Sequence, residues 1–382
     1  MSAAAVVGSV GLAGLVLCAA VYAVAAATLA RLRRTHRGEP VPGLSPGVSI
    51  VKPLAGLDEG LEENLETFFA LDYAPYEVLF SFARKDDPAY PIARRVADRH
   101  PEVPSTFVFD DRERGGNSKV NRLEAALRFV RHRLVLFSDG NVRVRPDFLA
   151  RAVSWFLDPR VGLVSHLFRG VGASSLGSRI ESLYLNGCLM PGTAFISAVL
   201  RRPCVVGKSI LVSRAALDAI EGIGSLRDYL AEDYVLGRQV RRAGYRVVLS
   251  TDVLDTVEVG KSVPAVWDRH RRWGMMRKRL AGSLYGGELL ASPLPWFAAS
   301  LAAPWPALRF VAVLLLALRW GMEVLLTRPS GQPLSWRDAV LLPARDLGAA
   351  AVFWAGAIGR VVAWRGRRVE IGRETRIHRT AA

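Results

Sequence analysis

Cysteine is scarce and scattered in this chain: Cys18, Cys188 and Cys204 are its only thiols, and no two approach a CxxC spacing. Neither a disulfide framework nor a cysteine zinc site can be built from them. Lysine is nearly as rare. Of 51 basic residues only six are lysine, at positions 52, 85, 119, 208, 261 and 278. No glycine fingerprint for a dinucleotide or P-loop is present. Gly115-Gly116-Asn117-Ser118-Lys119 lacks the required spacing and reads as a turn ahead of a helix, which points away from dehydrogenases and P-loop kinases. Fibrous repeats and disordered tracts are also missing.

What is there is apolar and basic. The 382 residues are 51% hydrophobic and 23% charged, with a mean hydropathy of +0.20. That is too apolar for a purely soluble protein and too charged for a many-span transporter, so a soluble unit of ordinary size plus membrane segments is expected. The net charge of +16 would attract anionic lipid headgroups, nucleic acid or phosphorylated substrates. Charge alone does not choose among them.

Residues 3 to 30 form an uncharged, mostly apolar run followed at once by Arg31, Arg33, Arg34 and Arg37. About 20 residues suffice to cross a bilayer. The competing reading is a cleaved signal peptide, but no positive charge precedes the run and it is too long. Residues 1–30 are therefore read as an N-terminal anchor, with the chain after Arg31 in the cytoplasm by the positive-inside rule. A second apolar region, 289–364, holds two expected spans at 306–327 and 344–364. The piece 292–305, broken by Pro293, Pro295 and Pro304, suits an interfacial or re-entrant segment. Two spans return residues 365–382, with Arg365, Arg367, Arg368, Arg373, Arg376 and Arg379, to the cytoplasm as a basic tail. Arg309, Arg319 and Arg360 inside these segments must snorkel or pair.

Between the anchors, 48–51, 77–82, 106–109 and 134–137 read as strands, each followed by a helical stretch at 60–71, 88–99, 117–131 and 147–157. A further helix is expected over 232–243 and a strand over 246–250. Such alternation predicts an α/β fold with a mostly parallel, Rossmann-like sheet covered on both faces, whose ligands collect at the carboxyl ends of the strands. Lys52-Pro53-Leu54, Lys85-Asp86-Asp87-Pro88 and Ser138-Asp139-Gly140-Asn141 stand there. An Asp-Gly turn explains Asp139 structurally, and holding a cation or polar ligand explains it functionally. Glu232-Asp233 opens a helix, where acids commonly serve the dipole. Arg269 and Arg272 share a face of the helix predicted over 263–280. That helix is either a basic amphipathic surface with Trp267 and Trp273 at the interface or a grip for a diphosphate. Residues 180–200, interrupted by Pro191-Gly192, read equally as a core helix or as a surface that admits a lipid tail.

The ordered set Asp87, Asp139, Asp233 and Arg269-x-x-Arg272-Trp273 resembles the family 2-like glycosyltransferases with a D, D, D, (Q/R)xxRW signature. Within them the chain is most similar to the ceramide glucosyltransferases of family 21 and their bacterial relatives, including hopanoid-associated glycosyltransferases. The likeness runs from about Pro42 to Leu280, through Val48–Leu54, Asn64–Phe69, Asp86-Asp87-Pro88, Asn117-x-Lys119-x-Asn121, Val161–Val164 and Ala231–Tyr234, with Trp364–Arg367 as a further element. The resemblance implies a GT-A cytosolic domain over 42–285 that uses a UDP-sugar and Mg²⁺ or Mn²⁺. On that analogy Pro53, Asp86 and Asp87 contact the uridine, Lys119 approaches the phosphates, Asp139 holds the metal, and Asp233 is the catalytic base. Arg269, Arg272 and Trp273 close over the diphosphate and acceptor.

One departure stands out. Many relatives have D-x-D where this chain has Asp139-Gly140-Asn141, and Asn141 offers only a neutral oxygen to a metal. The implied reaction is inverting transfer of glucose to the hydroxyl of a membrane lipid such as ceramide, giving a β-glycolipid. N-acetylglucosamine or galactose onto a hopanoid or diacylglycerol is the alternative. The expected partners are the UDP-sugar, the lipid and the membrane, a bacterial inner membrane by the kinship, and not nucleic acid. A processive polysaccharide synthase would need more spans to form a channel, and a non-catalytic basic membrane-binding protein leaves the ordered acids unexplained.

Overall fold

The structure is a computed structural model that describes residues 2–327, 335–364 and 367–379. Its centre is an eight-stranded sheet: β1 (Val48–Pro53), β2 (Tyr76–Phe82), β3 (Ser105–Phe109), β4 (Leu134–Ser138), β5 (Val142–Arg143), β6 (Val161–Val171), β7 (Ser209–Ser213) and β8 (Arg246–Val257), in the order β3-β2-β1-β4-β7-β6-β8-β5. The first four strands pair with one another in parallel. β7 lies antiparallel between β4 and β6, so the sheet is mixed. The strands alternate faces. Val48, Ile50, Val78, Phe80, Leu134 and Leu136 enter one apolar core, and Val51, Leu79, Val135 and Phe137 enter the other. Period-two alternation with both faces covered explains why these segments read as nearly continuous apolar runs.

After α1 (Ala3–Thr35), the helices flanking the sheet are α2 (Leu61–Glu66), α3 (Ala89–Arg99), α4 (Ser118–Leu127), α5 (Phe148–Ser154), α6 (Leu176–Tyr184), α7 (Met190–Ala198), α8 (Arg214–Asp218) and α9 (Glu232–Arg242). The helix predicted over 60–71 is only the short α2, because Phe68 and Phe69 turn into the core and the Asp72 amide bonds the Pro146 carbonyl. Strands β6 and β7 and the far half of β8 were not anticipated. Ser165, His166 and Arg169 break the apolar run of β6, yet His166 is buried, with Nδ1 3.3 Å from the Ser209 carbonyl.

Beyond the sheet come α10 (Val263–Ala281), a 3₁₀ run Gly282–Ala291, α11 (Pro293–Ser300), α12 (Pro306–Thr327), α13 (Trp336–Ala339) and α14 (Leu342–Ile358). On length and composition, Ala3–Thr35 and the stretch Arg337–Ile358 could cross a membrane. The 22 residues of α12 reach about 33 Å. The segment read as interfacial, α11, packs along α1. A Cβ at Gly8, Gly11 or Gly14 would collide with Ala303, Ser300 or Trp296, so these glycines let the two helices touch. The cost of Arg319 is met by pairing. It donates to Glu323 at 2.8 Å, and Arg345 of α14 bonds the same carboxylate at 2.9 Å.

Two expectations near the C-terminus need correction. The span predicted over 344–364 ends at Ile358, and Val361–Trp364 is β9 of a small antiparallel sheet with β10 (Arg367–Ile371) and β11 (Ile377–Arg379). The segment read as a basic tail is therefore built into the fold over 367–379. Leu230 N donates to Thr375 O and Ile377 N to Asp228 O, while Val362, Val369 and Ile371 share a core with Leu230 and Met275. In β10 the apolar Val369 and Ile371 alternate with Arg368 and Glu370, which allows that docking, since the apolar pair is buried while Arg368 stays exposed. Arg365, Gly366 and residues 380–382 lie outside the described residues.

Candidate active site

The sheet's connections diverge between β1 and β4, which are neighbours in space but not in sequence. That is the switch point where open α/β sheets bind ligands. Asp139 follows β4 there, with Pro53 at the end of β1. From β1, the buried Lys52 reaches across and donates to Ser138 Oγ at 3.1 Å and to the Asp139 carbonyl at 3.0 Å. Its ammonium also sits over the Phe68 ring, 3.2 Å from the centroid. Burial drives its pKa well below the ordinary lysine value.

Two more ammonium groups hold the Asp139 side chain. Lys119 Nζ is 2.9 Å from Oδ1 and Lys208 Nζ is 3.6 Å from Oδ2. Lys208 also donates to Asn141 Oδ1 at 2.9 Å. Burial alone would raise the Asp139 pKa, but Lys119 and Lys208 outweigh it and hold it below the usual value. For Lys208 burial outweighs the attraction of Asp139 and lowers the ammonium to about 8.

Lys119 ties the far acids into the same cluster. It lies in the first turn of α4, whose N-cap Asn117 accepts from the amides of Lys119 and Val120. Asn117 in turn donates to the Tyr229 carbonyl and to Glu232. The turn at Gly115 and Gly116 packs on Arg227 and Asp228, where a Cβ at Gly115 would meet Arg227 Cβ at 2.3 Å. The expected turn before a helix is what forms. Docked in this way, α4 sets Lys119 Nζ 3.2 Å from Glu232 and 3.1 Å from the Gly207 carbonyl.

Asp233, in the first turn of α9, accepts from the Gly207 amide and from the Tyr234 amide, each at 2.7 Å. A Cβ at Gly207 would stand 2.8 Å from Asp233 Oδ2, so only glycine permits this approach. Burial and then the adjacent Glu232 raise the Asp233 carboxyl to about 6, against the pull of Lys119 and the two amides. Asp139 and Asp233 thus both contact the Gly207-Lys208 turn, to which Lys119 also bonds.

Arg269 of α10 is held by two fully buried carboxylates, 2.6 Å from Glu181 and 3.1 Å from Glu258. Glu258 also pairs with Lys261. Arg269 lies over the Trp273 ring at 5.3 Å, and His270 packs between Tyr184 and Trp273. Burial and the neighbouring Arg269 lower the Arg272 pKa. Burial first, and the charge of Arg269 after it, lower the pKa of Lys261, and Arg269 adds to the lowering at Lys208. The helix itself rests on α14. Gly274 and Gly356 meet backbone to backbone, and Tyr285 donates to the Phe353 carbonyl at 3.0 Å.

Two anticipated residues stand apart. Asp86 is exposed and bonded to Arg84 at 2.6 Å. Asp87 accepts from the Gly56 and Ala89 amides, both at 3.0 Å, which fastens the loop after β1 to the start of α3. Sequence reading gave no role to Lys52, Lys208, Lys261, Glu181 or Glu258. A signal existed for the lysines: in a chain that otherwise uses arginine, four of the six surround these carboxylates. A compact ammonium fits such enclosed positions better than a guanidinium fork.

A family model described as glycosyl transferase family 21 matches residues 12–377. Ceramide glucosyltransferase 1 of Caenorhabditis elegans is 30% identical over 246 residues, 64% of this chain and 52% of that protein. Ceramide glucosyltransferase 3 of the same organism is 30% identical over 264 residues, covering 69% and 57%. The chain spans little more than half the length of these relatives. Among solved structures, the mannosyltransferase PcManGT from Pyrobaculum calidifontis, in complex with GDP-Man and Mn²⁺, gives a TM-score of 0.53 at 20% identity over 91% of this chain and 99% of that one. That likeness is one of fold. With the family match reaching from α1 to β11, the chain belongs to glycosyl transferase family 21.

Proposed function

We propose that this protein transfers glucose from UDP-glucose to the hydroxyl of a membrane lipid, ceramide being the acceptor favoured by the kinship with ceramide glucosyltransferases. The observation that carries the reading is the meeting of Asp139 and Asp233, distant in sequence, at one turn lined by Lys119 and Lys208. A diphosphate needs the cations and an alcohol nucleophile needs the base.

Asp233 is the base. Its carboxyl, raised to about 6, is ionised at neutral pH yet basic enough to take the hydroxyl proton as the lipid oxygen attacks the anomeric carbon. Such proton transfer contributes typically 10²- to 10⁴-fold. The glycosidic bond to UDP breaks in the same displacement, so configuration inverts and an α-linked donor gives a β-glycoside. Lys119 and Lys208, with Arg269 and Arg272 from α10, offset the charge that grows on the departing diphosphate. The uridine lies toward Pro53 and the loop that Asp87 fastens to α3.

Asp139 and Asn141 suit a divalent cation. They already share one positive charge, the Lys208 ammonium, and Mg²⁺ needs few protein ligands when phosphates and water complete its shell. Among the described residues no three His, Cys, Asp or Glu side chains gather as a cage, so the diphosphate would supply the remaining ligands. When bound, the cation would add Lewis-acid stabilisation of the leaving group. Mn²⁺ in the complex of the archaeal mannosyltransferase favours this reading.

The apolar helices α1, α12 and α14 would hold the site at the cytoplasmic face of a membrane, with α10 between α14 and the reaction centre. A matrix of UDP-sugars against lipid acceptors, read by mass spectrometry with Asp233→Asn as the blank, tests the proposal. A glucosylated lipid from the unaltered protein alone supports it, whereas turnover by the Asp233→Asn protein removes the base.

A further inference from the structure

A second cluster of cations lies outside the reaction centre, at the foot of α1. A cavity of about 130 Å³ is lined by Arg33, Arg37, Arg143, Arg145 and Arg169, with Asp252 and Asp255 as its acids. The acids are already committed. Asp255 accepts from Arg169 at 2.6 Å, and Asp252 accepts from the Gly38 amide at 2.9 Å and the Ser250 hydroxyl at 3.0 Å. Arg145 pairs at the surface with Asp147, and Arg143 Nε is bound by the neutral Asn64 at 2.6 Å. Among the described residues, Arg33 and Arg37 have no carboxylate partner, so the lining carries five guanidiniums against two carboxylates.

Basic residues at the end of an apolar helix have a general explanation in the helix dipole and the positive-inside rule. That explanation covers Arg33 and Arg37. It does not cover three further arginines brought to the same cavity by β5, β6 and the segment after β5. Like charges gathered around a void are stabilised by an anion between them. The space equals that of about four water molecules, which accommodates a phosphate group. Its depth agrees with a lipid source: Arg33 follows the last apolar residue of the run, Ala30, by three positions, about 5 Å of helix, where headgroups sit.

We infer that this cavity is a binding site for a phosphate group, that of an anionic phospholipid headgroup. The lipid source rests on reading α1 as membrane-crossing, whereas the phosphate chemistry does not. The site also touches the reaction centre. Asn64, which holds Arg143, donates through Nδ2 to the Gly140 carbonyl at 3.1 Å, between Asp139 and Asn141. A headgroup drawn against Arg143 therefore bears on the loop that carries the Asp139 carboxylate.

The test is lipid binding to the full chain in a neutral detergent, followed by native mass spectrometry and independent of activity. The probes are phosphatidylglycerol, phosphatidylcholine and inorganic phosphate. The unaltered protein is expected to prefer phosphatidylglycerol, and Arg33→Gln/Arg37→Gln to weaken that binding roughly thirtyfold. Arg33→Lys/Arg37→Lys keeps the charge and stays within a few-fold, which separates charge from folding. Arg241→Gln/Arg242→Gln, which removes equal charge from the basic cavity beside Arg202 and Tyr234, leaves the preference intact. Inorganic phosphate that competes with the same dependence on Arg33 and Arg37 keeps the site and assigns it to free phosphate. Equal binding of the two lipids, or an equal loss in the Arg241/Arg242 variant, overturns the inference.

Discussion

Asp233 is predicted to be a site where function opposes stability. Its carboxyl is raised from 3.8 to about 6 by burial and by Glu232, so the folded protein binds that proton more tightly than the unfolded chain. The contribution is most favourable below pH 4 and is lost as pH rises through 6. At pH 7 the ionised group costs about 3 kcal/mol, at 1.4 kcal/mol per unit. Asp233→Asn removes that cost. It also sets an amide NH₂ against one of the two backbone amides that the carboxylate accepts from, returning about 1–2 kcal/mol. The expected net is about 1–2 kcal/mol of stabilisation at pH 7, a rise of a few degrees in melting temperature, in a protein without transferase activity. The advantage should shrink at pH 5, where the unaltered carboxyl is protonated. Melting curves of both proteins in the same detergent at the two pH values are the assay. A variant no more stable at pH 7 than at pH 5, relative to the parent, would refute the electrostatic account of this site. The same reasoning predicts that Glu232→Gln moves the acid limb of kcat/KM down from about pH 6 by up to one unit, because it removes repulsion and frees Lys119 to act on Asp233.

Three further outcomes follow from the geometry. Lys208→Met should bind Mn²⁺ without nucleotide more tightly than the parent, because the ammonium that occupies Asn141 and faces Asp139 is gone; titration by electron paramagnetic resonance reads this directly, and unchanged affinity would remove Lys208 from the cation site. Glu258→Gln leaves Arg269 and Lys261 short of a buried counter-charge and should cost about 3–5 kcal/mol, seen as a large fall in melting temperature. Asp87→Ala should cost about 1 kcal/mol through the lost bonds to the Gly56 and Ala89 amides and raise KM for the donor, whereas Asp86→Ala, removing an exposed pair, should stay within about 0.5 kcal/mol.

Local pattern carried much of the fold into view. The apolar stretches 48–51, 77–82, 106–109 and 134–137 are each the core of a strand, and α12 has the limits expected of it. The order of Asp139, Asp233 and Arg269-x-x-Arg272-Trp273 was sufficient to indicate the family. β7 was not legible, because five residues with serine at each end carry no period of their own and are a strand only through pairing on both sides. The C-terminal arginines looked like a free extension, because composition cannot reveal that Val369 and Ile371 find Leu230 and Met275.

The sequence by itself determined the apolar helices, the α/β alternation and the identities of the acids, since each of these depends on residues a few positions apart. Only the tertiary structure decided which charges share a space. Lys52, Lys119 and Lys208 close on Asp139 from three separate segments, and Glu181 and Glu258 hold Arg269 from two more. Electrostatic energy depends on distance through space, and the chain sets those distances only after the sheet has brought its strand ends together.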